Sequence, residues 1–120
     1  RHVAGTAGAG VVRHTPIVPA AVLSERVGAS IVYKAENLQT TGSFKVRGAM
    51  NKLAALGTVA RAGVTAGSAG NHAQALAYAA RHFRVPCEIF VPTGAPVAKI
   101  AGCEAFGATV HEVGASLPPK

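Results

Sequence analysis

Aspartate and tryptophan are absent from this chain, and cysteine occurs twice. Without Asp there can be no Asp-based metal loop, no Walker-type magnesium site and no Ser-His-Asp triad. All five acids are Glu: Glu25, Glu36, Glu88, Glu104 and Glu112. Cys87 and Cys103 are too few for a disulfide framework and lack CxxC spacing. Both are expected to be small buried apolar residues. Aromatics are 5% of the chain, so its core must be built from Ala, Val, Leu and Ile. Long apolar runs are missing too. Nothing approaches the ~18 residues of a membrane span, and no charged segment leads into an apolar run as in a signal peptide. A cytoplasmic setting is the expectation. His2, His14, His82 and His111 share no ligand spacing, so no metal site is expected, while His72 sits in a Gly-rich turn where it could contact a ligand.

What is present is enough for one domain or part of one: 120 residues, 49% hydrophobic and 14% charged. That balance excludes a disordered tail. Twelve Lys and Arg against five acids give a formal net charge of +7. The basic residues are scattered, without a run of three and with few aromatics between them. They therefore point to neither nucleic acid nor membrane as a partner. The chain begins with Arg1 and ends with Leu117-Pro118-Pro119-Lys120, which suggests an internal fragment of a longer protein.

Along the chain, strand and helix patterns alternate. Residues 31–36 read as a strand and 37–42 as a polar turn. Ser43 then caps a helix with Val46, Met50, Leu53 and Leu56 on one face, closed by Gly57. A short strand at 64–66 leads through the turn Gly67-Ser68-Ala69-Gly70-Asn71 into an Ala-rich helix reaching about His82. Residues 87–91 form a continuous β-branched strand expected to be buried. Pro96 opens another helix, Gly107 closes it, and 109–113 is the last strand. Before residue 31 the pattern is weaker. Residues 4–12 suggest the end of a helix, 15–17 an extended segment, and 23–27 a short helix. The order predicts an α/β fold, a parallel sheet with flanking helices.

Chemistry is suggested at two places. The turn 67–71 sets two Gly and three small residues between a strand and a helix. Its backbone N–H groups suit an anion, although Gly also serves a tight turn that binds nothing. Lys45 opens a helix, where the dipole does not favour a cation. It is either an exposed surface lysine or an amine held partly neutral by burial and nearby positive potential, able to form an imine. The stretch Gly5-Thr6-Ala7-Gly8-Ala9-Gly10 has the look of a nucleotide loop but lacks a preceding strand and GxGxxG spacing. Arg47 is either an anion contact or a solvated arginine, and Glu36 is placed to orient the turn by hydrogen bonds.

Together these residues carry a resemblance. Glu36-Asn37-Leu38-Gln39-Thr40-Thr41-Gly42-Ser43-Phe44-Lys45-Val46-Arg47-Gly48-Ala49 resembles the cofactor-lysine motif of threonine and serine dehydratases and their serine racemase relatives. Ser68-Ala69-Gly70-Asn71-His72-Ala73-Gln74 resembles the second signature of that group. Thr15-Pro16 and residues 91–99 also fit, so the likeness runs from about His14 to Gly114.

The resemblance implies the N-terminal portion of a fold-type II pyridoxal-phosphate enzyme, tryptophan synthase beta-like in fold. Residues 1–120 would be a partial catalytic domain, with about 1–50 joining a large lobe and about 51–120 a small one. Lys45 matches the catalytic lysine that holds pyridoxal 5'-phosphate as an imine. Phe44 matches the residue packed near the cofactor ring, and Asn71 the side chain bonded to its ring hydroxyl. Ser68, Ala69, Gly70 and His72 match the loop that holds the substrate carboxylate. The implied activity is dehydration and deamination of L-threonine or L-serine to a 2-oxo acid and ammonia. A small-molecule amino acid is the implied partner, with homo-oligomerisation at full length. The Gly-rich phosphate cradle and the partner of the pyridine nitrogen would lie further along the chain, leaving half a site here. Racemases of the group carry serine where Ala69 stands, which favours dehydratase over racemase. Other readings are a threonine synthase or cysteine-synthase-like sibling, an inactive half-protein, and an anion- or nucleic-acid-binding module.

Overall fold

The computed structural model describes residues 11–114. The Gly-rich stretch 5–10, most of the helix end anticipated at 4–12, and the last six residues lie outside the described residues. Val11 and Val12 form a turn and a bend rather than helix.

Pro16 keeps the chain extended as it enters β1 (Ile17–Pro19), followed by α1 (Ala21–Val27). Gly28 stops α1 at φ 69°, a left-handed turn that glycine adopts without strain. The chain returns as β2 (Val32–Lys34), antiparallel to β1, with Val18 opposite Tyr33. The parallel pairing expected of the alternating strands therefore does not extend to residues 32–34. A parallel crossover helix has to cover a sheet face, and α1 buries none of its residues.

Two short 3-10 turns, Glu36–Leu38 and Thr40–Gly42, lead into α2 (Lys45–Leu56). Its buried residues are Val46, Ala49, Met50 and Leu53, spaced as one helical stripe. The anticipated Ser43 cap is weak. The boundary residue is Phe44, and Ser43 Oγ only reaches Lys45 N at 3.4 Å. Gly57 closes α2 as expected, and a 3-10 segment, Gly57–Ala62, follows where the pattern showed nothing.

The remainder is a βαβαβ run: β3 (Val64–Gly67), α3 (Asn71–Phe83), β4 (Cys87–Val91), α4 (Val97–Ala105) and β5 (Thr109–Glu112). Its strands form a parallel sheet in the order β3-β4-β5. Val64 sits opposite Cys87, and Glu88 opposite Thr109. β4, expected to be buried, is buried on one face only. Cys87, Ile89 and Val91 are buried, while Glu88 is exposed and Phe90 half-buried. Period-two alternation puts Phe90 and Glu88 on the other face beside His111, whose ring stacks on Phe90 at 4.8 Å.

Helix α3 is the centre of the core. Ala73, Ala75, Ala77, Ala79 and Ala80 are all at most 1% exposed. They cover more than half the helix circumference, and α3 touches α2, α4, β3 and β4. Alanine has no side chain to interlock, so its neighbours come close to the helix backbone. Tyr78 meets Phe106 edge-on at 5.2 Å, joining α3 to α4. Cys87 and Cys103 are free and buried, as expected. Loss of water around the Cys87 thiol pushes it up to about 11, which makes it a poor nucleophile. Among the described residues no helix is long and apolar enough to cross a membrane.

A larger side chain in this alanine layer has nowhere to go. Ala79→Leu is expected to lower stability by about 1–3 kcal/mol through overpacking. Chemical denaturation of the full-length protein checks it; an unchanged midpoint would mean that α3 is not confined as described.

Candidate functional site

The segment carrying Lys45 is held by a network of polar side chains. Arg47 Nε and Nη2 donate to the two oxygens of Glu36, both at 2.8 Å, as a bidentate pair. Thr15 Oγ1 also donates to Glu36. Gln39 is buried and pairs with the backbone of Arg13 in both directions. Its Nε2 donates to Arg13 O at 2.7 Å, and its Oε1 accepts from Arg13 N at 2.8 Å. Arg47 Nη2 reaches the same carbonyl at 3.1 Å. Glu36 therefore orients the turn, as anticipated. The Arg47 guanidinium is committed to the Glu36 carboxylate while its side chain stays partly exposed, so it is paired within the chain rather than free for an outside anion. The hydrogen bonds from Arg47 and then Thr15 hold the Glu36 carboxyl down at about 2. Thr41, inside this clasp, has φ 68°, an uncommon conformation for a β-branched residue.

Lys45 stands at the amino end of α2 and is exposed. The burial offered as one explanation of its reactivity is not supplied by the described residues. Its Nζ lies 5.0 Å from the centre of the Phe44 ring, itself 57% exposed. Both border a cleft of about 490 Å³ between α2 and the corner where β3 leads toward α3. One stripe of α2 forms its wall: Lys45, Gly48, Ala49, Lys52, Leu53 and Leu56. Val64, Thr65, His72 and Leu76 face them. A Cβ at Gly48 would meet nothing within 4 Å, so glycine keeps that part of the wall open.

The structure thus brings Phe44, Lys45 and His72 to one cleft. Ser68, Ala69, Gly70 and Asn71 are not part of its wall; they lie at the carboxyl end of β3. The anion nest inferred there is smaller than the sequence suggested. Ser68 N donates to Phe90 O at 3.0 Å, and Gly70 N to Ser68 Oγ at 3.3 Å. The donors that remain are the amide of Ala69 and the first-turn amides of α3, at Asn71, His72 and Ala73, which have no acceptor within the helix. Asn71 Oδ1 accepts from Lys99 Nζ at 3.1 Å. Lys52, Thr65 and Lys99 escaped the sequence reading. Lys52 was findable, since it lies two helical turns beyond Lys45 on the same face; Thr65 and Lys99 are brought in by tertiary packing. Among the described residues no group of His, Cys or Glu is arranged to hold a metal ion.

The described residues thus place a primary amine beside an aromatic ring at the cleft, with first-turn amides of α3 and the Asn71 side chain just outside its wall. The family profile described as pyridoxal-phosphate dependent enzyme matches residues 9–119. The chain belongs to that family. It is 48% identical over 102 residues to an L-threo-3-hydroxyaspartate ammonia-lyase from a Pseudomonas species, covering 84% of this chain and 32% of that protein. It is 50% identical over 101 residues to the L-threonine ammonia-lyase of Thermotoga maritima, covering 83% of this chain and 25% of that protein. The crystal structure of serine racemase from Dictyostelium discoideum superposes with a TM-score of 0.81 at 38% identity. That match covers 88% of this chain and 35% of the racemase. The chain therefore spans about a quarter to a third of these proteins, and its fold is that of fold-type II pyridoxal-phosphate enzymes.

The Glu36 clasp makes stability depend on acid. Its carboxyl titrates at about 2 in the folded chain instead of the ordinary 4.5. Its contribution is full above 4.5 and is lost as pH falls toward 2. At about pH 7, Glu36→Gln is expected to cost about 1–3 kcal/mol after solvent screening. The gap between variant and parent should shrink by about pH 3. Denaturation midpoints of the full-length protein at the two pH values check this; a gap that is constant with pH would remove the ion pair from the account.

Proposed function

We propose that the full-length protein is a pyridoxal-phosphate-dependent ammonia-lyase acting on L-β-hydroxy amino acids, threonine or serine first among them. The observation that carries the reading is Lys45 at the rim of a cleft shared with His72, the second residue of α3. The named substrates of the similar ammonia-lyases, threonine and 3-hydroxyaspartate, share the β-hydroxyl that such an elimination needs.

Pyridoxal phosphate, when bound, supplies an electron sink for the charge left at the substrate Cα. This chain supplies the rest of the near side of the site. Lys45 would be the covalent anchor, and its free amine would be the base for the substrate Cα proton. Phe44 lies beside that amine, its ring centre 5.0 Å from Nζ. The amides of His72 and Ala73 and the Ser68 hydroxyl receive the substrate carboxylate, helped by the positive end of α3. Asn71 would be the side chain that meets the cofactor's ring hydroxyl. The β-hydroxyl would leave as water, the proton taken from Cα by the Lys45 amine balancing the one that it carries away. The released enamine then takes up water and loses ammonia to give the 2-oxo acid.

Racemisation is the second reading, favoured by the likeness to serine racemase. It needs a proton donor on the opposite face, and at position 69 the methyl of alanine offers none. Chiral analysis of products from L-serine should therefore find elimination far exceeding racemisation, and D-serine as the main product would overturn the assignment.

Lys45→Ala in the full-length protein tests the central claim. Loss of anchor and base together is expected to raise the barrier by on the order of several kcal/mol and to remove the visible absorbance of the lysine-bound cofactor. Turnover surviving without added amine would refute the role of Lys45.

A further inference from the structure

Helix α4 sends one side chain to the amino end of α3. Lys99 Nζ donates to Asn71 Oδ1 at 3.1 Å and lies 3.4 Å from Gln74 Oε1. Asn71 and Gln74 are three residues apart on α3, hence on one side of the helix. The space for this arrangement comes from Gly102, one turn beyond Lys99. A Cβ built at Gly102 would fall 2.3 Å from Gln74 Nε2. The missing side chain therefore lets the Gln74 amide lie against α4 with its oxygen toward Lys99.

Lysine is a donor with no acceptor capacity. It can bind only the oxygen branch of an amide, so its position decides which way Asn71 is turned. The Asn71 oxygen is taken up by Lys99, and Nδ2 is the branch left for another partner. A bond from Lys99 to the amide oxygen also draws electron density from the nitrogen, making its N–H groups stronger donors.

We propose that Lys99 is a positioning residue. It sets the Asn71 amide so that its N–H2 group serves as a donor to the ring oxygen of the bound cofactor. This rests on the proposed reading of Asn71 as the side chain that meets that oxygen. Gln74 holds Lys99 from the other side. Lys99 itself touches no reacting atom. Its influence is on how strongly the cofactor is held and on the electronic state of its ring.

The test is made in the full-length protein with pyridoxal phosphate as the probe. Lys99→Met removes the donor and keeps most of the stem, and Lys99→Arg keeps a donor. Cofactor affinity by titration and the position of the visible band are read together with the melting temperature of the cofactor-free form. Lys99→Met is expected to weaken binding about tenfold and shift the band, leaving the melting temperature nearly unchanged. Lys99→Arg should restore both affinity and band. In an Asn71→Ala background, Lys99→Met should add nothing, because its effect passes through Asn71. Lys99→Gln, which shortens the reach, carries the same comparison if Lys99→Met does not fold. Parent-like affinity and band in Lys99→Met, or an equal loss in the Asn71→Ala background, would overturn the proposal. If Asn71→Ala alone leaves affinity and band unchanged, the reading of Asn71 fails and takes the Lys99 proposal with it. The role of Lys45 is judged separately by Lys45→Ala.

Discussion

The close packing of α3 is the constraint on which the rest depends. Five alanines at or below 1% exposure bring α2, α4 and the sheet against one helix. Because alanine has no rotamers, this layer loses no side-chain freedom on folding. It also fixes distance, since methyl groups leave no slack. The amino end of α3 is thereby set across the cleft from the amino end of α2. One end carries the unpaired amides and Asn71, the other carries Lys45. A chain with few aromatics builds its core this way by necessity, and here the necessity coincides with the geometry a small anionic ligand needs.

Lys45 is fixed by a different kind of interaction. Its helix lacks a strong cap, and its side chain lies in the open beside Phe44. What holds the preceding turn is the Glu36 carboxylate gripped by Arg47, with Gln39 fastened to the backbone of Arg13. The ion pair is half-exposed on the arginine side, so its worth lies more in orientation than in net stability. Thr41 stands at positive φ within the same turn. A single strained residue is tolerated there because the hydrogen bonds on both sides leave the backbone no alternative.

Much of this was legible in the sequence. Alternating patterns located α2, α3, β4 and β5 closely, because each has enough apolar residues at a clean period. Gly57 and Gly107 marked helix ends through their tolerance of positive φ. The antiparallel pairing of β1 with β2 was not legible, since three-residue strands carry no period that distinguishes one pairing from the other. β4 was read as buried because Cys87, Ile89, Phe90 and Val91 form an apolar run broken only by Glu88. The structure resolves that run into one dry face and one face shared with His111. Around Lys45 and Asn71 the motif residues stood out in the sequence, but their partners did not. Gln39 with Arg13, and Lys99 with Asn71, are separated by 26 and 28 residues. No local pattern links positions that far apart.

The Arg13 contacts carry a consequence for inheritance. Gln39 and Arg47 bind the amide and carbonyl of residue 13, and every non-proline amino acid presents those same two groups. Position 13 is therefore open to almost any substitution except proline, which would delete the amide. The opposite ends of the same bonds have no such freedom, because they are made by side chains of one shape. Variation across descendants of this sequence should be lopsided over a single hydrogen-bonded unit, free at 13 and restricted at 36, 39 and 47. Position 13 would then look unimportant in a comparison of sequences while its backbone still anchors the lysine turn.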